Sequence, residues 1–409
     1  MTDIAIAGGG ASGIMAAISA KMHNTHITVT IFEKAPKCLK KLLLTGNGRC
    51  NILNDNLQAK NFHSDNAKKA FEIVNKFSSR EIADFFEKNG LKLSRRFSPL
   101  IYPNSFQASA VREMLLTCAY ENGVKIFTDC EITKIEPNEC GFSLTGKKGQ
   151  KFSAKKLIIC GGTNATIGSA SCFSHLSDLG HKINPPYPAL TPLCCAETDI
   201  LKKISGTRAY AAASVFKNGE KIKSDCGEVQ FCDYGLSGIV IMQLSGECMK
   251  DLKRAKFEIS LSFFEDENEV KDMLLKSIGM YKKQTALSAL SMVVNTGVAK
   301  AALYFSKIDE NKAFISVSEA EILNISKNLC DMRFTVTGCR GEKFSQVLGG
   351  GASLDMFDEN LCSLVNKNLY AAGEVTDVYG DCGGYNLTWA FSGGYTAGKH
   401  AALSLAKEN

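Results

Sequence analysis

Asp3-Ile4-Ala5-Ile6-Ala7 runs straight into Gly8-Gly9-Gly10. A stretch of small residues follows (ASGIMAAISAKM, 11–22), and ITVTIFEK (27–34) then ends in an acid. Strand, glycine turn, helix and strand in that order predict a βαβ unit, and hence an α/β, Rossmann-like fold. Gly8-x-Gly10-x-x-Gly13 occupies the turn. Its glycines serve a tight turn, close approach of backbone to a pyrophosphate, and close packing of helix on strand. Ala11, Ser12 and Gly13 open the helix, whose free N–H groups and partial positive charge suit phosphates. Glu33 lies 20 residues beyond Gly13 (33 − 13). A carboxylate there accepts hydrogen bonds from an adenosine ribose and repels a 2′-phosphate. The pattern predicts dinucleotide binding. The competing reading is a tight βα turn with a surface Glu33.

The far end of the chain chooses between dinucleotides. NLYAAGE (368–374) reads as a buried strand, and GGYNLTWAFSGGYTAGKHAALSLA (383–406) as a long glycine- and alanine-rich helix. Gly383-Gly384 would let backbone approach a flat ring. The helix start would place N–H groups where they stabilise negative charge on a reduced flavin. A nicotinamide domain has no need for such a return of the chain, so FAD is the expected cofactor. The alternative is that these glycines serve helix packing alone. Four of the eight prolines fall in NPPYPALTP (184–192), a stiff crossing between domains. Residues 193–262 carry short alternating runs with glycine turns, and 266–329 read as helical. Ser78 with Glu81, and Ser318 with Glu321, are spaced as capping boxes. The expected organisation is an FAD-binding domain in two parts, 1–188 and 331–409. A β-rich insert (189–262) and a small helical insert (263–330) would lie between them.

Composition bounds the function classes. With 45% apolar and 22% charged residues, the chain is neither disordered throughout nor a small disulfide scaffold. A net charge of 48 − 42 = +6 over 409 residues does not call for a nucleic-acid partner. The lysine-rich piece 147–156 reads as a solvated hairpin. Sixteen cysteines are present, yet none is spaced C-x-x-C, and no H-E-x-x-H occurs. No metal site is therefore expected, and the thiols read as reduced, buried groups. The start MTDIAIAGGG lacks a charged-then-apolar leader, so a cytoplasmic location is expected. No apolar run approaches the ~18–20 residues of a membrane span, so no membrane insertion is expected. The richest window, 286–305, reads as packed helix. The expected partner is a small-molecule substrate; the number of subunits is not readable.

Several longer stretches carry a resemblance. They are GGGASG (8–13), FEK (32–34), KKLLLTGNGRCN (40–51), YPNSFQASAV (102–111), PALTPL (188–193), FCDYGLSGIVIMQLS (231–245) and AAGEVTDVYGDCGGYNLTWAFSGGYTAG (371–398). Over nearly its whole length the chain resembles the bacterial NAD(P)/FAD-dependent oxidoreductases of the aminoacetone oxidase family, where proposed bile-acid enone reductases are also placed. It departs from them at Leu39, where the family has glycine, and at LGGGASL (348–354), where the family has Thr-x-Gly-Gly-Val. The resemblance implies an FAD domain built from both chain ends, an inserted β-barrel-like domain and a small helical domain. It also implies that Ser12, Glu33, Lys34, Lys41, Thr45, Gly48, Arg49, Cys50 and Asn51 lie along the ADP half and centre of FAD. Backbone of Glu131 and Ile132 would meet the adenine. Gly161, Gly162, Gly373, Glu374 and the run Gly383, Gly384, Tyr385, Asn386, Leu387 would flank the phosphates and the ring.

Hydride transfer belongs to a flavin, so no side-chain nucleophile is required. Cys50 is the tempting catalytic thiol because Arg49 precedes it; a small packed thiol is the competing reading. Tyr102 and Tyr385 are the candidate proton donors, against buried tyrosines with satisfied hydroxyls. Asn386 would bond flavin or backbone. No second nucleotide fingerprint is visible, so NAD(P)H would act only as a transient electron donor at the flavin face. The leading expectation is reduction of an activated C=C of enone type. The alternatives are a small-amine oxidase producing peroxide, and an RNA- or partner-binding flavoprotein with structural FAD.

Overall fold

The computed structural model describes residues 1–162, 171–280 and 283–406. Two compact units divide it: Met1–Pro186 with Val347–Asn409, and Tyr187–Gln346.

In the first unit a seven-stranded sheet is ordered Lys125–Phe127, Val29–Phe32, Thr2–Ala7, Lys151–Ile159, Gly141–Gly146, Ile132–Asn138. Leu369–Ala371 also pairs with Lys151–Ile159. Thr2–Ala7 is parallel to both of its neighbours, and only the hairpins at the far edge are antiparallel. Ile4 and Ile6 enter one apolar core while Ala5 enters another. This period of two, with apolar residues on both faces, is what a strand covered on both sides requires.

The helix Ala11–His23 and the helix Tyr385–Ala406 cross at close range. A Cβ on Gly394 would lie 2.3 Å from the Ser12 carbonyl oxygen, and one on Gly398 would lie 2.1 Å from that of Ala16. Both pairs are four residues apart, so one ridge of glycines receives the other helix's backbone. Gly394 and Gly398 thus serve helix packing, at positions beyond the Gly383-Gly384 turn for which packing is the alternative reading. Both expected capping boxes form: Ser78 N–H donates to Glu81 Oε2 at 2.8 Å, and Ser318 N–H to Glu321 Oε2 at 2.8 Å.

In the second unit six strands close a barrel in the order Leu193–Cys195, Gly235–Ser237, Glu220–Cys232, Arg208–Lys217, Phe257–Ser262, Met332–Cys339. One core joins barrel residues such as Phe231 and Phe334 to Leu303 and Leu329 of the helices. The window 286–305 is two helices rather than one, Ala286–Leu290 and Thr296–Ser306. Asn295 starts the second by accepting the Gly297 N–H at 2.9 Å. Among the described residues no helix is long and apolar enough to cross a membrane.

Candidate functional site

The first glycine turn is built for an approaching ligand. A Cβ on Gly8 would lie 2.5 Å from the Cys160 carbonyl oxygen, and one on Gly13 only 1.9 Å from that of Gly8, so both positions are closed to larger residues. Gly10, by contrast, has nothing within 4 Å of its Cβ position. That opening faces the start of the helix Ala11–His23, as a diphosphate requires. Glu33 is held beside it, accepting the Gly9 N–H at 2.6 Å and the Ala35 N–H at 2.8 Å. Each carboxylate oxygen keeps a lone pair for a sugar hydroxyl. Past Glu33 lies a depression of about 230 Å³ lined by Lys34, Asp129, Glu131, Lys147, Lys148 and Gln150. Glu131 pairs there with Lys147 at 2.9 Å, and its carbonyl accepts the Lys147 N–H. The Ile132 carbonyl lies 3.1 Å from His175 Nε2. Gly161 is packed against Cys172, whereas Gly162, at φ +67°, has open space.

Contacts across the two chain ends assemble the rest. Lys41 forms an ion pair with Glu374 at 2.6 Å. Gly373 lies against Ser12, where a Cβ would come 2.5 Å from the hydroxyl, and its carbonyl accepts Trp389 Nε1–H at 3.1 Å. The loop between them is short 3₁₀ structure broken in the middle: Gly46 and Asn47 are left-handed at φ +56° and +54°, and Cys50 follows at +57°. Thr45 donates to the Leu42 carbonyl at 2.6 Å and accepts Cys50 N–H on its own carbonyl at 3.0 Å, closing the loop. At the opposite wall, Asn54 donates to the Gly383 carbonyl at 2.9 Å. Gly384 sits so close over Leu53 that a Cβ would be 2.6 Å from its carbonyl carbon. Leu100 stands 3.4 Å from the Cβ position of Gly383, and Tyr102 stands 3.8 Å from that of Gly46. Loop 45–54, strand Leu100–Pro103 and the 383–384 turn thus meet at one corner.

Two polar groups stand out in this corner. The Asn51 side-chain carbonyl is buried and has no hydrogen-bond partner among the described residues. An orphan of this kind inside a nucleotide-type cradle can accept a hydrogen bond from a ligand or a water. Tyr102 is half-buried beside Arg49. Burial pushes its phenol above the ordinary value, and the Arg49 cation opposes that rise.

Other expected residues are engaged by the protein itself. Tyr385 is buried and its hydroxyl donates to the Asn56 carbonyl at 3.1 Å. Asn386 clamps residue 380, donating to the Gly380 carbonyl at 2.8 Å and accepting its N–H at 2.7 Å. Leu387 packs on the main core. Cys50 is fully buried, and burial pushes its thiol up to about 11, with Thr45 opposing. It therefore stays protonated at neutral pH. At pH 7.5 a thiol reagent should label the exposed Cys140 and Cys226 and spare Cys50 and Cys160. Peptide mapping that found Cys50 labelled before unfolding would contradict this.

One feature of the corner was not legible in the motifs. His63 Nε2 lies 2.7 Å from Asp381 Oδ1, and the His63 ring stacks on Tyr379 at 4.6 Å. Asn61 donates to the second Asp381 oxygen at 3.0 Å. These contacts fix the strand leading into the Gly383-Gly384 turn. No motif pointed to them, because the histidine comes from 318 positions away.

A strand-turn-helix cradle at the N-terminus, with a second turn brought back from the C-terminus, defines the class of FAD-binding Rossmann oxidoreductases. The chain belongs to the HI0933-like protein Rossmann domain family, which matches residues 2–400. It is 31% identical over 409 residues to a 3-dehydro-bile acid delta(4,6)-reductase of Clostridium scindens, covering 98% of this chain and 99% of the relative. It is 23% identical over 413 residues to a ribosomal RNA dihydrouridine synthase of Haemophilus influenzae, covering 98% of each. Among solved structures, it shares its fold with a 3-ketosteroid delta1-dehydrogenase from Sterolibacterium denitrificans. There the TM-score is 0.50 at 12% identity, over 98% of this chain and 99% of the other.

Proposed function

We propose that the chain reduces an activated C=C bond in a flat, enone-type small molecule, as an FAD-dependent reductase. The observation that carries this reading is the corner where the orphaned Asn51 carbonyl, the Tyr102 phenol and the Gly383-Gly384 turn converge. The relative at 31% identity bears the name of a reductase of this substrate type. When bound, FAD supplies the hydride, through N5.

The chain's own residues do the remainder. The helix start at Ala11–Gly13 holds the diphosphate, and Glu33 takes the ribose. The Lys41–Glu374 pair ties the loop that carries Asn51 to the turn after Leu369–Ala371. Asn51 orients the cofactor's centre. Tyr102 delivers a proton from Oη to the substrate, and Arg49 steadies the phenolate left behind. Tyr385, with its hydroxyl on Asn56, serves as a wall, and Cys50 serves as packing. NAD(P)H would donate electrons transiently at the open face.

Anaerobic mixing tests the reading: the dithionite-reduced protein should be reoxidised by an enone faster than by oxygen. Rapid reoxidation by oxygen with no response to enones would instead indicate an oxidase. A second reading, an RNA substrate, is favoured by the exposed Arg95-Arg96-Phe97 near Tyr102 and by the name of the relative at 23% identity. Reoxidation by a uridine-containing RNA but not by enones would select it. Glu33→Ala should raise the FAD dissociation constant about tenfold or more, since hydrogen bonds to a charged group contribute ~1.5–3 kcal/mol. Unchanged flavin content after dialysis would contradict the ribose assignment.

A further inference from the structure

The segment 92–106 contains Lys92, Arg95 and Arg96 and no acidic residue. Leu93–Phe97 pairs with Leu100–Pro103, and the register shifts between Ser94 and Phe97, which takes Arg95 and Arg96 out of the ladder. Arg95 is committed to Asp55 at 3.3 Å. Arg96 has no carboxylate partner among the described residues, and its guanidinium lies 5.7 Å from the Phe97 ring centroid. Phe97 is 49% exposed. Its ring lies 6.1 Å from Tyr102 and 5.9 Å from Phe106, and those two lie 5.6 Å apart. The hairpin is anchored to the site, because Asp55 N–H donates to the Pro99 carbonyl at 2.9 Å and the adjacent Asn54 holds Gly383.

Three rings in mutual contact, one of them the proposed proton donor, form an apolar wall that water alone leaves unsatisfied. A cation without a carboxylate stands at its rim. We infer that Phe97, Tyr102 and Phe106 hold the flat body of a substrate that ends in an anionic group, and that Arg96 takes that anion. A carboxylate or sulfonate suits the planar, two-pronged guanidinium. A cationic substrate end would be repelled by Arg96, and a neutral one would gain no charge-assisted contact from it. The inference rests on the enone-reductase reading for the identity of the flat body, while the anion contact belongs to this hairpin alone. A single rim arginine with three rings fits a small molecule better than the extended basic stripe an RNA strand needs.

The test uses the FAD-loaded full chain with one cyclic enone offered as its carboxylate and as its methyl ester. Wild type should prefer the acid about five- to tenfold in kcat/KM at low salt, the size of an exposed charge-assisted contact. The preference should fall to about one in Arg96→Gln and return in part in Arg96→Lys. Equal preference in wild type and Arg96→Gln, or no preference in wild type, overturns the inference. Binding of both compounds is followed in parallel by perturbation of the flavin absorbance. Turnover of neither compound, with an acid-over-ester binding preference that Arg96→Gln abolishes, would sink the reductase reading and leave the anion site standing. Binding of neither compound would overturn the anion site.

Discussion

Tyr102→Phe should slow anaerobic reduction of substrate by about 10²–10⁴-fold, the usual worth of a positioned proton donor. Flavin content should be unchanged, because the hydroxyl makes no hydrogen bond to the protein among the described residues. Tyr385→Phe should cost far less, within about tenfold. Its hydroxyl donates to the Asn56 carbonyl, so its loss removes one buried hydrogen bond, worth ~0.5–1.5 kcal/mol of stability, and no proton from the reaction. The pH profile separates the two further. Burial raises the Tyr102 phenol, so the donor stays protonated through the neutral range and is lost only as pH climbs past its raised value. Wild type should therefore show an alkaline fall in rate that the Tyr102→Phe variant lacks. Because the Arg49 cation opposes the rise, Arg49→Gln should push that fall to still higher pH. Equal rate losses in the two phenylalanine variants would remove Tyr102 from its role.

Gly394→Val should lose both stability and flavin. A Cβ there would sit 2.3 Å from the Ser12 carbonyl oxygen, and the obstacle is backbone, which cannot rotate away. The helix Tyr385–Ala406 would have to move off the helix Ala11–His23, whose start is the proposed diphosphate site. A destabilisation of about 3 kcal/mol or more is expected, at or above the upper range of overpacking. Gly393→Ala is the control next door. Its Cβ would come close only to the flexible Leu361 Cδ1, at 3.3 Å, with Gly373 N and Ala372 Cβ at ordinary contact distances of 3.7 and 3.8 Å, so the melting temperature should move little. Denaturant titration of the two variants compares them directly; equal losses would mean that the close crossing is not what excludes side chains at 394.

The parts of this molecule visible from residues alone are those encoded locally. Gly8, Gly10 and Gly13 stand in one turn, Ser78 and Glu81 in one cap, and the residues from Tyr385 onward in one helix. What stayed hidden depends on distant partners. Nothing near Tyr385 in the chain shows that its hydroxyl is spent on Asn56, 329 residues away. Gly383-Gly384 and Gly394 with Gly398 look alike as glycine pairs, yet one pair forms a turn against Leu53 and the other a helix crossing. His63 lies outside every motif and gains meaning only when Tyr379-Gly380 pairs with Phe62-His63 and brings Asp381 to it. Arg96 stands out only once Arg95 is seen to consume the nearby acid.

That both ends of the chain jointly hold FAD is tested most directly by absorbance spectroscopy of the purified protein, with and without added FAD. The prediction is a yellow preparation carrying one flavin per chain, bleached by dithionite and depleted by Gly394→Val. A protein that stays colourless after incubation with FAD and passage through a desalting column would contradict it.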